Sequence, residues 1–409
     1  MTNSPAPGAY RGTRIACYTG YIVQAIVANL APLLFITFNR TFDISLTKIT
    51  FLSGFNFAVQ LIVDLVAARY AERLGYRRSV IISQIFAAAG MIAYGTLPYL
   101  FGSRFAGLLT ATFLSAIGGG LIEVLVSPII ESCPSDSKSG SMSLLHSFYC
   151  WGQAGVVLLS TLFFTAFGID NWRILTAIWA VVPIMNALLF TKVPVPQPTE
   201  EGEAMSAGQL FGSRGFGILI LLMICSGAAE LAVSQWASAF AEAALKVNKT
   251  IGDLMGPCLF AVLMGVSRAF YSVFSRKTGL MHFMTFSGGL CLIGYLTASL
   301  SPFPALSLAG CAICGFSVGI FWPGTLSIAA KLFPKGGTFM YGILALAGDI
   351  GCVCGTGFVG LMSGFFGDDL KIGILCASVF PIMMTVGLML CRRLLRDSPA
   401  KMPEQNTGN

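Results

Sequence analysis

Residues 104–131 read RFAGLLTATFLSAIGGGLIEVLVSPIIE, an apolar stretch whose middle carries a single ionisable side chain, Glu123. About 20 apolar residues, at about 1.5 Å of rise per residue, cross the ~30 Å hydrocarbon core of a bilayer. The stretch is therefore long enough to form a transmembrane helix. Eleven further apolar stretches of similar length occur along the chain. The sequence thus predicts an all-α membrane protein with twelve transmembrane helices.

The composition excludes most classes of soluble protein. Of the 409 residues, 55% are hydrophobic and 11% are charged, with a mean hydropathy of +0.78. Soluble domains carry roughly 25% charged residues. The net charge of +7 resides mainly in the short segments between apolar stretches. Such a distribution indicates membrane orientation rather than nucleic-acid binding.

Catalytic machinery is not evident in the sequence. The two histidines, His146 and His282, provide little material for a metal site or a histidine-based triad. No Gly-x-x-x-x-Gly-Lys-Ser/Thr loop for ATP occurs. We therefore expect no enzyme activity, no metal and no cofactor.

The predicted spans form two sets of six. They lie near 14–38, 46–70, 79–101, 104–131, 141–168 and 173–192, and near 213–243, 250–275, 281–300, 303–332, 338–366 and 370–392. This divides the chain into an N-terminal tail (1–13), a six-helix bundle (14–192), a linker (193–212), a second bundle (213–392) and a C-terminal tail (393–409).

The distribution of basic residues predicts the orientation. Of the 25 lysines and arginines, seventeen lie on the side of the two termini and seven on the opposite side, with Arg268 inside a span. The positive-inside rule then predicts that both termini and the linker are cytoplasmic in a multi-pass cell (inner) membrane protein.

The two halves show the spacing of an internal repeat. Asp64 precedes Gly75 by eleven positions, and Arg268 precedes Gly279 by eleven. Gly152-Gln153-Ala-Gly155 likewise matches Gly348-Asp349-Ile-Gly351 in the fifth span of each half. These matches predict two pseudo-symmetric bundles related about an axis along the membrane normal.

Ionisable residues inside the spans are the candidates for coupling and gating, because a charge at that depth is costly and usually marks a pathway. Glu123 follows three glycines that leave room for a ligand, and a carboxyl group removed from water binds a proton more readily. We predict that Glu123 couples transport to protons, although a structural hydrogen bond would also explain it. His146 would relay protons or form a neutral hydrogen bond between helices, and both interpretations stay open.

Polar and aromatic residues of other spans predict a binding cavity. Amide groups suit the hydroxyl groups of a solute, and an acid followed by an aromatic residue suits a polyhydroxylated ring, although packing explains each nearly as well. The candidates for substrate binding are Tyr21, Gln24, Asn29, Gln153, Glu230, Gln235, Trp236 and Trp322.

The loop Ala68-Arg-Tyr-Ala-Glu72-Arg73-Leu-Gly75-Tyr-Arg77-Arg78 resembles the signature between helices 2 and 3 of the major facilitator superfamily, roughly Gly-x-x-x-Asp-Arg-x-Gly-Arg-Arg. In this chain, Ala68 replaces the first glycine and Glu72 the aspartate. The resemblance implies a twelve-helix fold in which helix 2 borders helix 11 and helix 8 borders helix 5. Asp64 is then expected to meet helix 11, and Arg268 helix 5. We predict a gating role for Asp64, Glu72, Arg73, Arg77, Arg268 and Asp349.

A narrower resemblance lies in Gly118-Gly-Gly-Leu-Ile-Glu123, Leu144-Leu-His-Ser-Phe-Tyr-Cys-Trp-Gly152 and Phe321-Trp-Pro-Gly324. These segments are similar to the fucose permease branch of the superfamily, whose members mostly carry sugars with protons. In that branch an acid in helix 4 is the proton-linked site, and Glu123 occupies the matching position. The branch also uses an aspartate in helix 1, where this chain instead offers Tyr21, Gln24 and Asn29.

The sequence therefore predicts a secondary active transporter that moves a small polar solute, such as a sugar or related metabolite, by proton symport and alternating access. Its partners would be the solute, protons and the lipid bilayer, with no nucleic acid, and the protein would be a monomer. Proton-driven efflux of amphipathic compounds is one alternative. A non-transporting membrane receptor is another, and would favour longer loops or a soluble domain.

Overall fold

A computed structural model describes residues 10–44, 46–196, 205–237, 240–241, 245–246, 254–367 and 369–397. The described residues are almost entirely helical and contain no β-strand. We number the twelve spans α1–α12. They are α1 Arg11–Leu33, α2 Leu46–Leu74, α3 Tyr76–Leu100, α4 Arg104–Ser132, α5 Lys138–Phe167, α6 Trp172–Lys192, α7 Arg214–Ser234, α8 Leu259–Phe274, α9 Leu280–Leu300, α10 Pro304–Val318 with Phe321–Leu332, α11 Gly337–Phe365, and α12 Leu370–Ala377 with Val379–Asp397.

Length and composition support the transmembrane prediction. Within the described residues, 11 helices are long and apolar enough to cross a membrane. The remaining span, α2, is a 29-residue helix that contains the apolar stretch Gly54–Ala67.

Several predicted boundaries differ from the structure. The span predicted at 14–38 ends at Leu33, and a separate short helix, Phe35–Phe42, follows it. The span predicted at 213–243 ends as a regular helix at Ser234, and much of 238–253 lies outside the described residues. Apolar composition continues past Leu33, so hydropathy alone does not show where the first span ends.

The two halves repeat the same helix packing. Within the first half, α1 packs on α4, α5 and α6, α2 on α4, and α3 on α4 and α6. Within the second half, α7 packs on α10, α11 and α12, α8 on α10, and α9 on α10 and α12. Between the halves, α2 packs on α11 and α5 on α8. The packing is therefore pseudo-symmetric, as the internal repeat predicts.

Glycines allow the closest helix contacts. A Cβ at Gly351 of α11 would lie 2.1 Å from the carbonyl oxygen of Ile224 on α7, and one at Gly227 would lie 2.2 Å from the carbonyl oxygen of Gly348. Small residues permit such backbone approach between helices in a membrane. The α7–α11 interface therefore depends on glycine at these positions.

We expect Gly351→Ala to destabilise the protein by about 1–3 kcal/mol, because the added methyl group collides with backbone that cannot yield easily. Gly357 provides a matched control on the same helix, since a Cβ there meets nothing within 4 Å. Gly357→Ala should be neutral or stabilise by up to about 1 kcal/mol. Thermal unfolding of the purified variants measures both effects, and equal melting temperatures would contradict the packing argument.

The described residues of the two halves contact each other on one side of the protein, which we call the terminal face. It carries the α2–α3 turn at Gly75, the α4–α5 loop at 133–137 and the α8–α9 loop at 275–279. Here Tyr271 of α8 lies 3.1 Å, oxygen to oxygen, from Ser139 of α5, and Arg276 pairs with Asp136. The protein is therefore closed between its halves on the terminal face.

Candidate functional site

A cavity of about 630 Å³ lies between the two halves. Both halves supply its walls, chiefly through α1, α2, α4 and α5 on one side and α7, α8, α10 and α11 on the other. Its lining residues on α1, α2, α7 and α8 come mostly from the ends away from the terminal face. The residues predicted from sequence that line it are Tyr21, Gln24, Asn29, Glu123, His146, Gln153, Glu230, Gln235, Arg268, Trp322 and Asp349.

Glu123 lies on the cavity wall and is held by α1. Nε2 of Gln24 donates a hydrogen bond to Oε2 of Glu123 over 2.5 Å. Gln24 is almost fully buried, and its own Oε1 has no hydrogen-bond partner among the described atoms. The hydrogen bond from Gln24 therefore fixes the carboxyl group of Glu123 on the cavity wall.

The three glycines before Glu123 place α4 against three other helices. A Cβ at Gly118 would come within 2.5 Å of the backbone nitrogen of Ala87 on α3. One at Gly119 would come within 3.2 Å of Val27 on α1, and one at Gly120 within 3.1 Å of Val63 on α2. The glycines consequently serve close helix packing, and this packing fixes the position of Glu123.

His146 belongs to a buried polar cluster that joins α1, α4 and α5. Its Nε2 lies 3.2 Å from the hydroxyl oxygen of Tyr21 and 3.5 Å from the hydroxyl oxygen of Ser127. The Tyr21 and Ser127 oxygens are 3.1 Å apart. A neutral imidazole can donate or accept at Nε2 according to its tautomer, so this geometry serves either interpretation of His146.

Arg268 connects three helices with one side chain. Its Nε donates to the carbonyl oxygen of Gly319 over 2.8 Å, and its Nη1 to the carbonyl oxygen of His146 over 3.0 Å. Its Nη2 lies 3.5 Å from Oε2 of Glu230. Arg268 is 3% exposed, so this cation is compensated almost entirely by protein groups.

The carbonyl oxygen of Gly319 is free to accept from Arg268 because a proline lies four residues later in the sequence. In a helix the carbonyl of Gly319 would accept from the N–H of residue 323, but Pro323 has no N–H. The backbone keeps right-handed helical angles at Gly319 and Ile320, between the two segments of α10. The freed carbonyl accepts from Arg268 instead. Sequence reasoning missed this partner, although Pro323 four residues later was the available signal.

Acidic groups outnumber cations around the cavity. Glu123, Glu230 and Asp349 line it, and Asp64 lies directly behind Asp349. Arg268 is the single lysine or arginine among the lining residues of the described cavity. Carboxylates near each other repel, so this arrangement favours a positively charged partner in the cavity, such as a proton.

Neutral hydrogen-bonding groups complete the lining. Gln153, Asn29 and Gln235 lie there, although the amide nitrogen of Asn29 donates to the carbonyl oxygen of Ala25 one turn before it. The structure adds Asn56, Gln60 and Tyr149, which sequence reasoning missed. The four-residue spacing of Asn56 and Gln60 on α2 places both on one helix face and could have indicated them.

The tryptophans occupy different surroundings. The ring of Trp322 lines the cavity and covers Gly348, where a Cβ would come within 2.2 Å of it. The indole of Trp236 donates to the carbonyl oxygen of Thr356 on α11 over 3.0 Å and is absent from the lining of the described cavity. Trp322 is therefore placed to stack on a ring in the cavity, and Trp236 is placed to join α7 to α11.

The α2–α3 loop is described in part, and the side chain of Glu72 lies outside the described residues. Gly75 has a φ of 87°, which favours glycine, and it precedes α3 directly. Arg77 donates to the carbonyl oxygens of Thr191 and Val193 at the end of α6, over 3.2 and 2.8 Å. Arg73 is exposed beside Tyr70. Arg77 thus stabilises its own half at the terminal face.

Two pseudo-symmetric six-helix halves around a polar cavity are an arrangement found in secondary membrane transporters. A family model described as the Major Facilitator Superfamily matches residues 17–356. The chain belongs to the major facilitator superfamily, a superfamily of transporters. A search of curated proteins found no match.

Solved structures show the same fold at low sequence identity. FucP in the outward conformation has a TM-score of 0.78 and 14% identity, over 94% of this chain and 99% of that chain. FucP is the fucose:proton symporter of E. coli. The proton:xylose symporter XylE, bound to 6-bromo-6-deoxy-D-glucose, has a TM-score of 0.81 and 12% identity, over 95% and 96% of the two chains.

A third structure widens the range of substrates found on this fold. A bacterial homologue of the iron transporter ferroportin, in an outward-facing state, has a TM-score of 0.72 and 11% identity, over 92% of this chain and 99% of that chain. Among the described residues of this protein, no group of three or more histidines, cysteines and acids is placed to hold a metal ion.

Proposed function

We propose that this protein is a symporter that imports a small polar solute, of the sugar or related metabolite class, together with a proton. The main support for this proposal is the position of Glu123. Its carboxyl group lies on the wall of the cavity and is fixed by a 2.5 Å hydrogen bond from Gln24. The proposal includes cytoplasmic termini in the cell membrane, with the cavity then directed outward.

The lining supports a polyhydroxylated solute. Gln24, Gln153 and Gln235 carry amide groups that both donate and accept hydrogen bonds, as hydroxyl groups require. Trp322 adds an aromatic face to the same cavity. A volume of about 630 Å³ falls within the ~300–1,000 Å³ typical of small-molecule sites.

Charge balance supports proton coupling. Glu123 lies near enough to Asp349 and Glu230 for the three carboxyl groups to interact electrostatically. Arg268 is engaged by Glu230 and by backbone carbonyls, so it does not neutralise Glu123 directly. A proton on Glu123 removes the repulsion in the loaded state, and its release into water after the halves rock resets the carrier.

Uptake into proteoliposomes tests the proposal. A library of sugars and polyols is first screened by thermal stabilisation of the purified protein at pH 5.5 and pH 8. We expect at least one compound to raise the melting temperature, and a proton gradient to drive its uptake above equilibrium. If every stabilising compound only equilibrates, with the gradient and potential intact, proton coupling is wrong.

Efflux of amphipathic compounds is the second candidate, because the cavity also carries an apolar wall of Leu52, Phe57, Phe260 and Met264. This function predicts that lipophilic cations, rather than sugars, stabilise the protein in the same screen. It also predicts greater resistance to those cations in cells that overproduce the protein. Sugar-driven stabilisation without any change in resistance would decide for the symporter.

A further inference from the structure

Asp64 of α2 and Asp349 of α11 form a buried acidic pair across the boundary between the halves. Asp64 is 0% exposed and Asp349 is 7% exposed. Asp349 lines the cavity, whereas Asp64 does not. Beside the pair, Ala67, Val124 and Ala345 form a small apolar cluster drawn from both halves. Asp64 is therefore shielded from water while the terminal face is closed, and Asp349 is reached only from the cavity.

The groups that face this pair are acidic or neutral. The side chains of Asp64 and Asp349 interact with each other, and Glu123 of α4 is the other charged group that acts on Asp64. Asp349 also faces Glu123 and the thiol of Cys352 on its own helix. Arg268 shares the cavity with Asp349, but its guanidinium is engaged by Glu230 and by the backbone carbonyls of Gly319 and His146.

Hydrogen bonding around the pair is incomplete. Neither carboxyl oxygen of Asp64 has a hydrogen bond of regular geometry within the described structure, and neither does Oδ2 of Asp349. Gly120 leaves the space that Asp64 occupies, since a Cβ there would come within 3.3 Å of Oδ1. Two buried carboxylates facing each other are repulsive, but one shared proton converts the contact into a strong hydrogen bond.

We propose that Asp64 and Asp349 form a second proton-binding site, which holds one shared proton between the halves and stabilises closure of the terminal face. The proposal rests on the proposed alternation of the two halves, but not on Glu123 carrying the coupled proton. Opening the terminal face separates α2 from α11 and exposes each carboxyl group to water. The shared proton then leaves, because each isolated aspartate is ionised near neutral pH.

Linkage fixes the direction of the pH effect. The closed state binds one proton more than the open state, so rising pH favours the open state. For one linked proton, the closed-to-open ratio falls by up to about tenfold per pH unit across the titration. Protonation of this pair would thus bias the carrier toward facing away from the termini.

Distances between spin labels measure this equilibrium without any solute. Labels are placed at Arg78→Cys on α3 and Lys277→Cys after α8, two exposed positions on the terminal face of opposite halves. The accessible native cysteines Cys258, Cys354 and Cys376 are first replaced by serine. In lipid nanodiscs between pH 5 and pH 9, we expect the short, closed distance to lose population steadily as pH rises.

Asparagine variants test the pair directly. Asp64→Asn and Asp349→Asn each reproduce the charge and the hydrogen bond of the singly protonated pair, because the amide donates to the remaining carboxylate. In each variant the terminal face should stay closed at high pH, and the closed-to-open ratio should no longer depend on pH. Asp136→Asn is the matched control, since it removes an exposed contact between the halves that already has a cation partner. Asp136→Asn should change the closed-to-open ratio by the same factor at every pH, so that its dependence on pH is kept.

The outcomes separate this proposal from the symport proposal. In Glu123→Gln, the pH dependence of the closed-to-open ratio should persist. Its loss would assign the linked proton to Glu123. That result would overturn the proposal for the Asp64–Asp349 pair and leave the symport proposal intact. The proposal for the pair would also be overturned if the closed-to-open ratio of the wild type did not depend on pH. An unchanged pH dependence in the asparagine variants would overturn it as well. If one asparagine variant does not fold, the other decides.

Discussion

Replacement of Glu123 by glutamine is expected to abolish uphill transport while leaving solute binding in place. Glutamine keeps the size of the side chain and accepts the hydrogen bond from Gln24, but it cannot release a proton. A membrane potential of 100 mV is worth about 2.3 kcal/mol per charge, which supports roughly 50-fold accumulation at one proton per solute. Glu123→Gln should reduce this ratio to about one.

Exchange assays distinguish loss of coupling from loss of folding. The neutral variant resembles the protonated carrier, so it should still exchange labelled for unlabelled solute across the membrane. Glu131→Gln is the matched control, because it makes the same chemical change on α4 at a residue that does not line the described cavity. That control should accumulate solute normally. Full accumulation by Glu123→Gln at every pH and potential would refute the proposed role of Glu123.

Replacement of Arg268 by leucine is expected to cause the largest loss of stability. The change removes the donor to Gly319 and His146 and leaves Glu230 without its cation. Removing one member of a buried ion pair typically costs about 3–5 kcal/mol. Arg276→Leu is the control, because its partner Asp136 is exposed, and exposed pairs contribute about 0–1 kcal/mol.

A double substitution identifies how much of this loss comes from the uncompensated acid. Arg268→Leu combined with Glu230→Gln should be more stable than Arg268→Leu alone, because no carboxylate then remains buried without a partner. Thermal unfolding in detergent or nanodiscs provides the melting temperatures. If Arg268→Leu melts no lower than Arg276→Leu, Arg268 does not carry the interface between α5, α8 and α10.

The fold was largely predictable because bilayer thickness sets helix length. The apolar stretches predicted the spans, and the repeat spacing of Asp64 and Gly75 with Arg268 and Gly279 predicted the paired halves. Some helix ends were not predictable from hydropathy. The first span ends at Leu33 and the helix Phe35–Phe42 follows, although residues 30–36 are apolar throughout. Hydropathy measures affinity for lipid, whereas such breaks depend on backbone hydrogen bonds.

The candidate site was predictable residue by residue but not as an arrangement. Glu123, Arg268 and Asp349 could be identified from sequence because they are ionisable residues inside predicted spans, where a charge in hydrocarbon is costly. Rotation about a helix axis decided that Trp322 faces the cavity whereas Trp236 packs on α11. It also placed Asn56 and Gln60 of α2 on the cavity wall.

By itself, the sequence determined the class of fold, the number of spans and the short list of costly polar residues, since each depends only on local composition and on the thickness of a bilayer. Tertiary structure alone decided which of those residues meet. Gln24 reaches Glu123 across 99 positions of sequence, and Arg268 reaches the carbonyl of His146 across 122. Contacts of this kind depend on how closely helices pack, and that closeness is set by glycine positions and helix rotation that hydropathy does not encode.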